Sequence, residues 1–550
     1  MAAVFVVNSV IDMRDAVAGD GICATAAGVC TLRAAIEESN ALVGADSITL
    51  PSGIFLITLD HGDDKAEKGD FDVRDVLTII GAGEGFTVVD GNAVDRAFDV
   101  HDDGRLDLSS VTIRNGDENQ GGGIRAEGPL VLSDVTLSNN TGKDGGGVSV
   151  RKNGNTAVFT NVSFLENISD KGGGLHVKDD SIITIIDSRF SGNIADKDGG
   201  GVYFEDAIVA ISNTYLDGNM AEEGGGVYAK KNGTNISMVN VTITGNTASK
   251  EGGGISLDDG TMSLTNVTVN GNSSPDGGGL FNHNGSLILQ NTIVSNSGGS
   301  DCGGTVSSQG NNLATDDSCQ LVQAGDLPNT DPLLGPLQNN GGQTLTHALN
   351  DYSPARDSGS NGVCPFTDQR GEPRPVDGDG DGAQTCDIGA FEAEPLFPDY
   401  YLRKSVATIS DPYSGTTNPK AVPGAVVQYT VRIENDGPGA ADQGTLVIID
   451  AIPPETALVV TDFDGANPGP VAFVDGTPAS GFTYTFVDLA DAADDLEFSN
   501  DGGATFTYLP SEDANGSDAA VTHIRIQPAG TALYTGADPV AEFRFKVAVQ

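Results

Sequence analysis

The sequence predicts an all-β fold: a parallel β-helix solenoid with an N-terminal helical cap, followed by a β-sandwich. Three observations carry this expectation. Gly-Gly-Gly triplets recur at 121–123, 145–147, 172–174, 199–201, 224–226, 252–254 and 277–279. Each follows an Asn at a nearly constant offset (Asn115, Asn140, Asn167, Asn193, Asn219, Asn246, Asn272, with Asn296 as an eighth), 24 to 27 positions apart. The stretches between them alternate apolar and polar residues and are rich in β-branched side chains, the strand period. A fixed period of this length marks a solenoid.

Each repeat reads as one coil of about three short strands. LVLSDVTLSNN (130–140), NISMVNVTITGN (235–246) and TMSLTNVTVNGN (261–272) show the alternation. A second polar column, Ser109, Asp134, Asn161, Asp187, Asn213, Asn240 and Asn266, precedes the Asn column by six residues. Stacked coils lie about 4.8 Å apart, so equivalent residues form ladders and a column of Asn can satisfy its own amides. Glycine supplies positive φ and close backbone approach at a corner. The triplets do not join a strand to a helix and do not continue as Gly-Lys-Ser/Thr, so they are not phosphate loops.

The chain's first elements differ from the coils. Residues 32–42 have helical spacing at Leu32, Ala35, Ile36 and Leu42 and should cover the first coil, because a solenoid must close its ends. The expected division is 1–45 N-terminal cap, 46–345 parallel β-helix, 346–393 C-terminal cap with an Asp-rich loop, 394–402 linker and 403–550 β-sandwich. In the last of these VVQYTVRIEN, GTLVIIDAIP, FTYTFVDL, ATFTYL, VTHIRIQ and AEFRFKVAV read as antiparallel strands.

Certain motifs resemble a known family. CTLRAAIEESNA (30–41), preceded by GDGIC (19–23, with Asp20), resembles the CSLREA motif that opens many bacterial secreted β-helix proteins. Thr31 stands for its Ser and Ala34 for its Glu. The Asn-then-triplet repeats are similar to pectate-lyase-like and polymorphic outer-membrane-protein repeats, and RGEPRPVDGDGDGAQTCDIGAFE (370–392) resembles the end module common in such proteins. The similarity covers roughly 4–393 and implies a right-handed β-helix on a secreted or surface-attached protein. Segment 422–460 is similar to a conserved repeat of bacterial surface proteins, which implies an immunoglobulin-like spacer, with further copies or an anchor after Gln550. Fold alone implies no activity.

Composition narrows the function. The formal net charge of −48 is spread evenly along the 550 residues. Such a surface repels nucleic acid and favours divalent cations. The six cysteines fall as local pairs, Cys23/Cys30, Cys302/Cys319 and Cys364/Cys386. Spacing leaves their connectivity open; local pairing is the expectation, since each pair brackets an irregular stretch. Disulfides argue for export. The N-terminus lacks a signal peptide's basic region and apolar core, as a mature chain behind an added Met would, and no stretch is long enough to span a membrane.

Two candidate sites follow. Asp377, Asp379 and Asp381 alternate with glycine, a hard-oxygen pattern suited to structural Ca²⁺. Ile388 occupies the place of an EF-hand's closing Glu, and Asp387 beside it is a further ligand candidate. The second site is the strand after each triplet, whose first and third residues are apolar and whose second and fourth should face outward. That face gathers His176, Lys178, Tyr203, Glu205, Tyr228 and Lys230. One reading is self-stabilisation, with Glu127, Arg151/Lys178, Glu205, Lys230 and Asp258 avoiding like-charge stacks that cost about 1 kcal/mol each. The other is a glycan-binding strip with Tyr203 and Tyr228 stacking on sugars. No catalytic residue is assigned, because no local motif demands one, and with no Trp and 11 Tyr the stacking capacity is small. The expectation is therefore a structural or adhesive rod, secreted or on the cell surface. It would bind a glycan or cell-surface partner, or self-associate into filaments or matrix. The alternative is a polysaccharide lyase or glycoside hydrolase acting on the outward face.

Overall fold

A computed structural model describes residues 2–60, 65–378, 383–439, 444–465, 469–491, 493–530 and 539–550. The chain divides into two units, Met1–Val376 with Thr385–Ala393, and Asp377–Gln384 with Glu394–Gln550.

The first unit is a parallel stack. Each strand pairs in register with its equivalent one coil on: Val148–Val150 with Leu175–Val177, then Val202–Glu205, Val227–Lys230 and Ile255–Leu257. The long strands Leu130–Ser138, Thr156–Leu165, Asn235–Thr244 and Thr261–Asn270 form the second column. Each bends at one residue of positive φ: Asp134, Asn161, Asn240 and Asn266, at 51–55°. This is the second polar column of the sequence, with one correction. In the coil of Arg105–Arg114 the bend falls on Ser110 (φ 59°), and Ser109 pairs with Ser133 as ordinary strand. A third, four-stranded column comprises Ile168–Lys171, Ile194–Asp198, Met220–Glu223 and Thr247–Glu251.

The Asn ladder holds the coils in register. Asn140, Asn167, Asn193, Asn219, Asn246 and Asn272 are fully buried. Asn167 is representative: its Nδ2 donates to Leu137 O (3.0 Å) and Asn193 Oδ1 (2.9 Å), while its Oδ1 accepts from the backbone N–H (3.1 Å) and Nδ2 (2.9 Å) of Asn140. Every valence of the amide is used, which is what burial of a polar group requires. Asn115 and Asn296 do not belong to this ladder. Gly116 N donates to Asn140 Oδ1, so Gly116 holds the ladder position in its coil. Asn115 and Asn296 instead take positive φ (54° and 52°), as Gly192, Gly218, Gly245 and Gly271 do one residue before the ladder.

The triplets have a steric cause. Gly172 has φ +63°, and a Cβ on Gly173 would lie 2.3 Å from Gly200 O of the next coil. Triplet stacks on triplet too closely for any side chain.

The core is one apolar column system into which Phe159, Phe164, Phe190 and Phe204 project, with Phe164 and Phe190 stacked at 4.4 Å. Helix Leu32–Ala41 begins at Thr31, whose hydroxyl accepts the Ala34 N–H (3.1 Å). Leu32, Ala35 and Ile36 join the core of the coils. The motif's polar residues tie the irregular N-terminal segment to the helix. Arg33, fully buried, meets Asp12 (2.6 Å) and the carbonyls of Ala66 and Gly69. Glu37 holds Arg14 and the Asp15 N–H, and Glu38 accepts from the N–H groups of Gly19 and Gly21.

At the far end, side chains satisfy the last coil's edge. Asp301 N–H donates to Asp316, Cys302 N–H to Ser318, and Asn312 N–H to Asp326. Cys302–Cys319 closes this turn, and Cys23–Cys30 and Cys364–Cys386 are the other two disulfides. The segment expected to close that end instead lies along a flank. Thr344 bonds Asn213 O, Asn240 bonds Thr367 O, Thr242 bonds Gln369, and Asn266 bonds Asp387 O, so Thr344, Thr367, Gln369 and Asp387 lie beside the bend column of successive coils.

The second unit is antiparallel. Tyr400–Ser410, Val426–Asn435 and Val540–Val549 pair in one sheet, and Ile448–Ala451, His523–Ile526 and Leu496–Ser499 in another. Val431, Ile433, Phe498, Ile524, Phe543 and Phe545 belong to its core. Of FTYTFVDL only Phe482–Thr483 is a strand, and ATFTYL forms only the bridge of Tyr508 with Phe498. Aspartates explain the loss. Asp495 takes the Thr485 N–H, Asp494 that of Val487, and Asp501 those of Ala504 and Thr505, replacing a ladder.

Asn193→Ala strands the Phe164 carbonyl and the Asn167 amide inside the stack. It should cost roughly 2–4 kcal/mol in urea unfolding. Asn296→Gly, at a position other coils fill with glycine, should stay within about 0.5 kcal/mol.

Candidate functional site

The strand after each triplet forms the floor of a groove. Ile255 and Leu257, Leu175 and Val177, Val227 and Ala229 enter the core, so the residues between them turn outward. They are nonetheless covered: His176 is 2% exposed, Tyr203 0% and Tyr228 5%. The expectation of open aromatic rings is thus corrected. The positive φ of each triplet's first glycine folds the third column back beside this floor. Tyr203 stacks on Tyr228 (5.4 Å) and against His176 (4.7 Å), with Lys171 and Lys230 at 5.2 and 5.4 Å from its ring centre. Its hydroxyl donates to Glu205 (3.1 Å), and both ring faces are already occupied.

The charges beside the floor are paired locally. Glu205 meets Lys231 (2.6 Å), the neighbour of Lys230 in sequence, and Lys231 also meets Asp206 (3.1 Å). Burial works against ionisation of Glu205, but Lys231 and the Tyr203 hydroxyl hold its carboxyl below the ordinary value. Burial pushes the Tyr203 and Tyr228 phenols well up, with nearby carboxylates adding to it. Lys178 is half-buried on the same face.

The residue before each triplet forms the facing wall. Asp144, Lys171, Asp198, Glu223, Glu251 and Asp276 pair in register coil by coil. The last four are carboxylates in consecutive coils, so the charge alternation expected of this chain fails here. Burial, then Asp198 and Glu251, raise Glu223, and burial raises Asp198. His283 reaches across to Glu251, with Nε2 2.5 Å from Oε1. Glu223, Glu251 and His283 bring their ligand atoms within 4.8 Å of one another. Reading the position before each triplet as a column would have found this wall.

A second convergence lies near the first coils, where Asp72, Asp99 and His101 gather, all buried. It is an ion network: Arg96 pairs with Asp70 (2.6 Å) and Arg125 with Asp99 (3.2 Å).

Of the Asp-rich loop, Asp379 and Asp381 lie outside the described residues. Asp377 is half-buried. Asp387 is 1% exposed and spends its carboxylate on the N–H groups of Asp357 (2.7 Å) and Ala393 (2.5 Å). Around it, the end-module residues bind one another: Arg370 pairs with Asp368 and packs on Phe391, and Arg374 faces Glu392 (3.2 Å).

With this geometry in place, the chain can be compared with known proteins. The right-handed β-helix region family matches residues 82–243 and 146–318. Among solved structures, the enzymatically active domain of bacteriophage CBA120 tailspike protein 4 shares 12% identity, over 94% of this chain and 64% of that one, with a TM-score of 0.23. The chain thus spans less than two thirds of that protein's length. The tailspike protein of Acinetobacter phage vB_ApiP_P1 shares 10% identity over 94% of this chain and 84% of that one, with a TM-score of 0.23. No curated protein matches the sequence. Among the described residues, no helix is long and apolar enough to cross a membrane.

Burial lowers His176 from its ordinary 6.5 to about 4, against the pull of Asp144. The unfolded chain takes up this proton first, so stability is full above pH 6.5 and falls as the pH drops toward about 4. The loss should reach about 3 kcal/mol. Melting curves across this window should show a steeper decline for the parent than for His176→Phe.

Proposed function

We propose that this chain belongs to a secreted or cell-surface structural or adhesive protein, in which a rigid acidic β-helical rod carries an antiparallel, immunoglobulin-like spacer. The observation that carries this reading is the use of the groove's polar groups. Tyr203, Glu205, Lys231 and Asp206 bond to one another across coils and present no open ring for a sugar. Three disulfides fit an oxidising exterior. The charge of −48 suits a soluble, cation-rich surface. Glycan or cell-surface attachment, assembly into filaments or matrix, and structural Ca²⁺ at Asp377, Asp379 and Asp381 are parts of the proposal.

One observation favours a second reading, a lyase or glycoside hydrolase. Glu223 and Glu251 lie side by side, burial raises Glu223, and a pair of carboxyls is what glycoside hydrolysis uses.

A polysaccharide panel, scored for retention and for new reducing or unsaturated ends in Ca²⁺ or EDTA, separates the two. The rod reading expects retention or filaments in Ca²⁺ and no new ends. Ends released by the parent and lost in Glu223→Gln would replace it with the enzyme.

A further inference from the structure

The four stacked carboxylates Asp198, Glu223, Glu251 and Asp276 pose an electrostatic problem that the protein's own cations, Lys171, Lys230 and Lys250 beside Asp198 and His283 beside Glu251, offset only in part. Lys250 reaches Glu222 at 2.5 Å but Glu223 only at 3.6 Å, and its side chain is 56% exposed. By contrast, the Asp72–Asp99–His101 group is already matched by Arg96 and Arg125, and Asp72 also accepts the Ala66 N–H (2.6 Å).

A second observation is independent of charge. Ser256, 0% exposed, has no hydrogen-bond partner for its hydroxyl. A buried, unpaired hydroxyl costs free energy and calls for a partner. Its strand neighbours Ile255 and Leu257 enter the core, so Ser256 points into the groove. Gly252, which directly follows Glu251, packs on it: a Cβ there would lie 2.7 Å from Ser256 Cβ. In register, Ser256 sits between Tyr228 and Phe281, and Phe281 touches the His283 ring at 4.6 Å. Ser149 on the same floor is also unpartnered, but the wall beside its coil is Asp144 next to Lys171, a neutral pair. Beside the coil of Ser256 the wall is Glu251, which converges with Glu223 and His283.

We propose that Glu223, Glu251, His283 and the Ser256 hydroxyl form a site for a divalent transition-metal ion of the zinc type. The donor set decides the class. Two carboxylate oxygens with an imidazole nitrogen suit Zn²⁺, whereas Ca²⁺ takes oxygen ligands throughout. The nitrogen concerned is Nε2, which now faces Glu251. A metal there binds the unprotonated imidazole nitrogen, taking the place of the present contact with Glu251. The ligands come from successive coils, so the ion would staple them together and offset the carboxylate stack.

The test is calorimetric titration of the whole chain with Zn²⁺, with melting curves alongside. We expect a saturable step and a raised Tm, lost in both His283→Gln and Glu251→Gln and kept in His101→Gln. Excess Ca²⁺ should not compete. Anomalous scattering at the zinc edge from soaked crystals should place the ion between Glu251 and His283, independently of how the variants fold. An absent step, a step unchanged in both site variants, or an anomalous peak at Asp72–Asp99–His101 alone would overturn the proposal.

Discussion

The structure depends on in-register stacking of coils, enforced inside by the Asn ladder. From Asn140 to Asn246 each ladder amide bonds to the coil before it and the coil after it, so a slip of one residue would strand several buried polar groups at about 1–3 kcal/mol each. That penalty fixes every other column. The triplets must be glycine because their backbones meet, the bend residues must tolerate positive φ, and the outward floor of one coil must lie on the floor of the next. Column composition, not any single residue, is the unit on which the protein is built.

Much of this was legible in the sequence. The period, the triplets and the alternation gave the parallel coils, and the local cysteine pairs are the pairs that form. Helical spacing at Leu32, Ala35 and Ile36 marks a real helix. Depth of cover was not legible. Alternation shows that Tyr203 turns away from the core, but not that the turn before the triplet folds back beside it. Nor does a conserved-looking spacing separate a ladder position from its neighbour. Asn115 and Asn296 have the right residue type one place too early, at a position of positive φ where their amides bond Asp90 and Asn270 and not the ladder. In the second unit, ATFTYL has strand composition, but Asp501 captures the backbone donors a strand would need.

The two motifs that resemble known end modules prove to be staples. Arg33 gathers loop carbonyls beneath the helix, and Arg374 faces Glu392. Both place a guanidinium in a buried site next to a carboxylate, where the pair is costly to break. Elsewhere, charges beside the floor are paired locally, as Glu205 and Lys231 are. The acidic wall is the exception, because there like charges are stacked where alternation would have been cheaper.

The central claim is that the coils form one hydrogen-bonded stack of which the groove is a structural part. Native-state hydrogen exchange tests it most directly. The account predicts that the amides of Asn167, Gly173, Gly200 and Tyr203 exchange slowly and at a common rate, through unfolding of the whole stack. Fast exchange at Tyr203 and the triplets, with the Asn column still protected, would contradict it and make the groove a separate, mobile surface.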